Sequence, residues 1–195
     1  MNRKEFMNEF FHSRRRRNLR ISDFDAYVLE DINKATTNAK TILGVDDFVV
    51  NEFSPVLVST PAANSDILEP VIVFSEDKMR YDIANFNALF FGSKFLFHYS
   101  CMIDHKTGAS FNHHTVEVPY SEIKAIETSS RFELIEEIEH HVFDITLILD
   151  NYELVVPLRT LLVDIKTEKK EYLIPKDLLD LMTSLKAFLR KKIAE

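Results

Sequence analysis

The chain has 195 residues, 46% of them hydrophobic, with sixteen Phe, six Tyr, three Gly, one Cys and a net charge of −7. That is enough apolar material for one aromatic core, which excludes disorder throughout, and the scarcity of glycine argues against a phosphate-cradling loop. Cys101 alone forms no internal disulfide or thiolate zinc set and fits a reducing, cytoplasmic setting, and no stretch reads as a signal peptide or a transmembrane segment.

In chain order, residues 2–12 are predicted as a short helix with Phe6, Phe10 and Phe11 on one side. Arg14, Arg15, Arg16, Arg17 and Arg20 follow it. Residues 1–20 carry seven basic and two acidic side chains, so an arm of +5 precedes a remainder of −12. Such an arm suits a polyanion, either nucleic acid or an anionic membrane surface, and it equally suits docking on the acidic surface of its own or a neighbouring subunit. From Ser22, a candidate cap, the residues Phe24, Val28, Ile32, Ala35, Ala39 and Ile42 recur at helical spacing until Gly44 supplies a stop.

Beyond Gly44 the period falls to about two and β-branched and aromatic residues take over, which predicts strands. Residues 45–60 read as one or two strands broken at Pro55, residues 61–70 as a loop, and residues 71–74 and 79–83 as strands joined by a polar turn. Lys78 and Arg80 beside that turn are candidate contacts for a polyanion or partner, together with the arginine arm. Residues 89–91 and 95–103 flank Gly92-Ser93, a two-residue connection of the kind that fits type I′ or II′ turns, which place glycine at positive φ. In the second of these strands Phe95, Phe97, Tyr99, Cys101 and Ile103 alternate with Leu96, His98, Ser100 and Met102, which predicts one aromatic, core-facing side.

A turn at residues 104–108 leads into a strand over 110–118 that Pro119 ends, because proline lacks a donor. Residues 119–123 enter another short strand, and the acidic stretch 131–139 has no readable period. Alternation resumes over 141–149, turns at Asp150-Asn151 into 152–156, and recurs over 161–166. Pro175 and Asp177 then open a helix with Leu178, Met182, Leu185, Leu189 and Ile193 on one side, and Arg190, Lys191 and Lys192 gather at its negative end. The expected organisation is a helical extension with a basic arm over 1–44 and a β domain closed by a helix over 45–195.

Chemistry-bearing residues are few. His98, His105, His113, His114, His140 and His141, with Asp104, are the candidates for a metal-assisted hydrolase. Adjacent residues of a strand face opposite ways, so each His-His pair offers one ligand per face, and the favoured reading is buried structural or solvated histidine without a metal or cofactor. Cys101, in phase with the aromatic side, reads as an inert buried thiol.

The run ALFFGSKFLFHYS over 88–100, VPYSEIKAIE over 118–127 and the segment 145–159 resemble bacterial pleckstrin-homology-like (PH-like) domains. In that family a Pro-Tyr-x-x-Ile segment enters a strand that is followed by a hairpin and a closing helix, and here Gly92-Ser93-Lys94-Phe95 replaces the usual preceding turn. The resemblance spans roughly residues 71–193. It implies a mainly β, α+β fold: a bent antiparallel barrel of about seven strands capped by a C-terminal helix, with no catalysis and a role in binding a protein partner or forming a homo-oligomer. Lys78-Met79-Arg80 echoes the basic residues that phosphoinositide-binding relatives place between early strands.

Overall fold

The computed structural model of the chain describes residues 1–12, 21–62, 70–75, 78–135, 138–162 and 175–195. Helix α1 (Arg3–His12) starts at a reciprocal cap in which the Glu5 amide donates to Asn2 Oδ1 at 2.9 Å and the Asn2 amide to Glu5 Oε2 at 3.0 Å. Its Phe6, Met7, Phe10 and Phe11 are buried. Helix α2 (Ile21–Leu43) begins one residue before the expected cap Ser22. It buries Phe24, Asp31, Ala35, Ala39 and Leu43, whereas Ile42 is exposed, so its buried stripe ends one position later than the sequence pattern places it. The Phe10 and Phe24 rings stack at 4.6 Å, and this aromatic cluster also takes in Val73.

The strands are β1 (Phe53–Pro61), β2 (Ile72–Ser75), β3 (Lys78–Tyr81), β4 (Ile83–Phe91), β5 (Phe95–Asp104), β6 (Ala109–Pro119), β7 (Ala125–Ile135), β8 (Ile138–Ile148) and β9 (Glu153–Leu162), followed by α3 (Lys176–Ala194). They form a four-stranded sheet in the order β1-β4-β5-β6, the hairpin β2-β3, and an antiparallel sheet β7-β8-β9. The fold is therefore α+β and mostly antiparallel. The expected barrel of about seven strands is corrected to nine described strands in three separate sheets, with no closed barrel.

Several local expectations change for identifiable reasons. β1 runs through Pro55, which an edge strand tolerates because its outer N–H groups need no partner. β4 extends back to Ile83, where alternating Ala and Asn hid it. β5 lies between β4 and β6 and is buried on both faces from Leu96 to Tyr99, so the expected division into an inner aromatic and an outer side fails. The acidic stretch 131–139 belongs to β7 and β8, where residues are described. The strand expected over 161–166 is β9 as far as Leu162, and its remainder lies outside the described residues.

The chain divides into two compact units, one of Met1–Asp46, Ser59–Ala88 and Tyr99–Thr115 and the other of Asp47–Val58, Leu89–His98 and Val116–Glu195. The first unit holds the helical leader together with strand residues. In the second, Leu178, Met182, Leu185 and Leu189 of α3 join one apolar cluster with Phe91 of β4, Leu96 of β5, Val118 of β6, Phe143, Ile145 and Leu147 of β8 and Val156 of β9. Burying that helical stripe is the main hold on α3, to which surface pairs such as Arg159–Asp177 at 2.7 Å add little. No helix among the described residues is long and apolar enough to cross a membrane.

Candidate binding surfaces

Arg14, Arg15, Arg16, Arg17 and Arg20 lie outside the described residues. Lys78 and Arg80, the other two candidate contacts, both sit on β3 but in different surroundings. The Arg80 side chain is buried and makes a two-pronged pair with Asp25 of α2, Nε to Oδ1 at 3.0 Å and Nη2 to Oδ2 at 3.1 Å. Arg80 thus ties strand to helix, and Lys78 is the exposed cation of the two.

Beside this tie, α2 and β3 flank a groove of about 370 Å³. Phe24, Val28, Leu29 and Ile32 line one wall and Lys78, Met79, Arg80 and Tyr81 the other. Tyr81 is held by a hydrogen bond from its hydroxyl to Ser59 Oγ at 3.0 Å, and burial pushes its phenol up to about 12, which keeps it neutral. Leu29 is 60% exposed despite its place in the wall.

In the second unit, the segment before β1 and the turn between β4 and β5 each carry exposed apolar side chains. Phe48 is 88% exposed and Val49 half-exposed in the segment before β1, and Phe95 at the start of β5 is 39% exposed. Gly92 lets the Val49 main chain come close to this turn: its amide donates to the Phe95 carbonyl at 2.9 Å, and a Cβ there would stand 3.0 Å from the Val49 carbonyl oxygen and 3.1 Å from the Phe97 ring. Gly92 is therefore required by close approach and not by a positive φ, which corrects the expected two-residue turn of that type. Tyr120 fixes the same turn from below, its buried hydroxyl donating to the Gly92 carbonyl at 3.1 Å.

A buried ionic cluster escaped the sequence reading. Asp31 of α2 accepts from Arg3 of α1 and stands 2.7 Å from Nδ1 of His105, while Arg3 Nε donates to the His105 carbonyl at 2.9 Å. Gly108 (φ 75°) closes over it, and a Cβ there would meet Arg3 Nη1 at 2.8 Å and Asp31 Oδ1 at 3.0 Å. The available signal was an acidic residue inside the apolar stripe of α2, between Val28 and Ala35. With the Asp31 and His105 side chains fully buried, the cluster pins α1 and α2 to the β5–β6 turn.

The remaining histidines divide by environment. His98, His140 and His141 are buried, and His113 and His114 are exposed on β6, where Tyr99 Oη lies 2.7 Å from His113 Nδ1. Among the described residues no three His, Cys, Asp or Glu side chains are grouped to hold a metal ion. Cys101 is buried, and burial pushes its thiol up, away from the reactive thiolate. No protein-family model, no curated protein and no solved structure matches the chain.

Proposed function

We propose that the chain is a non-enzymatic binding and assembly module of PH-like fold that engages another protein chain through the exposed apolar side chains around the β4–β5 turn. For the fold, the support is the count and order of elements: β1, β4, β5 and β6 with β7, β8 and β9 supply seven strands, and α3 follows them with its apolar stripe in the core. On this reading β2-β3 and the two N-terminal helices are additions to the PH-like frame.

For the function, the observation that carries the proposal is Phe48, 88% exposed and next in sequence to the half-exposed Val49, whose carbonyl oxygen stands close against Gly92 of the β4–β5 turn. An exposed aromatic on a fixed backbone loses little conformational entropy when covered, and burying a Phe contributes about 1.5–3 kcal/mol. The first partner to test is a second copy. Sedimentation equilibrium of the full chain is expected to show mass rising with concentration, and Phe48→Ser is expected to weaken the association roughly ten- to hundredfold. If the wild type remains a monomer, a photo-crosslinker at position 48 in native extract is expected to trap a defined protein partner. A monomer that also traps nothing sinks the proposal.

A further inference from the structure

We infer that the groove between α2 and β3 receives an extended peptide of another protein, which adds to the open edge of β3 as a third strand of the β2-β3 sheet. This surface lies within the first unit and is independent of the aromatic patch around Gly92.

The first argument is geometric. Successive side chains of a strand point to opposite faces, so a groove lying against a face is lined by every second residue. All four consecutive residues of β3, Lys78 to Tyr81, line this groove. The strand therefore presents its edge to it, with main-chain donors and acceptors as well as side chains of both directions. The opposite edge of β3 is occupied by β2, in the register Ile72↔Tyr81, Val73↔Arg80, Phe74↔Met79 and Ser75↔Lys78, and among the described residues the sheet ends there with two strands. A strand edge that no described strand occupies is the ordinary template for an added strand.

The second argument concerns the facing wall. Phe24, Val28 and Ile32 recur every four residues along α2 and form one apolar row, with the exposed Leu29 at its rim. A strand laid on β3 would turn alternate side chains toward that row, which selects apolar residues at every second position. The spacing is set in advance, because the two-pronged Arg80–Asp25 pair ties the two walls together. At about 370 Å³ the groove lies near the lower end of the roughly 300–1,000 Å³ of small-ligand sites, enough for a few peptide side chains.

The third argument is charge. Asp25 is engaged by Arg80, whereas Lys78, exposed at the end of β3, makes no ion pair among the described residues. The complementary peptide therefore carries an acidic residue opposite Lys78. The occupant is thus an extended, alternating apolar segment with one carboxylate, in contrast to an amphipathic helix, whose anchors recur every three or four residues.

The test uses the full chain and a displayed library of random linear peptides as the probe. Enriched peptides are expected to alternate apolar and polar residues, to carry an acidic residue at one end, and to shift the amide resonances of residues 78–81. N-methylation at every second position of such a peptide is expected to abolish binding, because it removes the main-chain donors that face β3. Leu29→Asp, a change at an exposed site whose folding circular dichroism checks, is expected to weaken binding at least about tenfold. Lys78→Glu is expected to weaken it by up to about fivefold. Phe48→Ser is expected to leave it unchanged, which separates this result from the fate of the assembly proposal. Peptides with helical spacing, binding indifferent to N-methylation, resonance shifts confined to other residues, or a library that yields no binder sensitive to Leu29→Asp would each overturn the inference.

Discussion

His141 shows how one side chain couples burial to pH. Its ring stacks on Phe132 at 4.6 Å and lies 4.1 Å from Phe143, and burial lowers its pKa below the ordinary value of 6.5 because the charged form loses hydration. Folded protein therefore binds a proton less readily at this position than unfolded chain does. The favourable contribution is complete above about pH 6.5 and is lost as pH falls from there through the lower folded value. His141→Phe keeps an aromatic ring between Phe132 and Phe143 and removes the titration. Urea unfolding of both proteins is expected to show the wild type losing more stability than the variant on going from about pH 7 to about pH 5. Parallel curves would show that His141 does not titrate differently in the folded protein.

At the scale of elements, α3 tests whether burial and not exposure holds the closing helix. Leu185 is fully buried in the cluster that joins α3 to β8 and β9, and Leu179 on the same helix is half-exposed. Leu185→Ala is expected to cost about 3 kcal/mol in denaturant unfolding and Leu179→Ala less than about 0.5 kcal/mol. Equal effects would mean that α3 does not pack as described. This helix was legible because a start signal at Pro175 and five apolar residues at one spacing are local facts of sequence. β5 was legible as a strand but not in its environment: whether one face or both are covered depends on β4 and β6 and on what lies over them. β7 was partly hidden because Glu127, Ser129, Ser130 and Arg131 give it a polar composition, and its place comes from pairing with β8. The same limit applies to the groove. Lys78 and Arg80 stood out as basic residues, but the pairing of Arg80 with Asp25, fifty-five positions away, and the open edge of β3 are non-local.

At the scale of the molecule, the two units are not joined by a linker. β1, β4, β5 and β6 each contribute residues to both, since the unit boundaries fall within these strands at Val58/Ser59, Ala88/Leu89, His98/Tyr99 and Thr115/Val116. Because the main chain of four strands runs on from one unit into the other, the two units are expected to unfold together. Removing residues 1–44 is for this reason a poor test of their role in assembly: it deletes the aromatic cluster of Phe6, Met7, Phe10, Phe11 and Phe24, which also packs on Val73, and the Asp31 partner of His105. A core substitution in either unit should instead lower one shared transition. Met7→Ala in the first unit and Leu185→Ala in the second are each expected to move the urea midpoint while far-ultraviolet and aromatic near-ultraviolet circular dichroism continue to coincide. If Met7→Ala separates the two signals into distinct transitions, the four shared strands do not couple the units. The helical leader would then be free to unfold by itself.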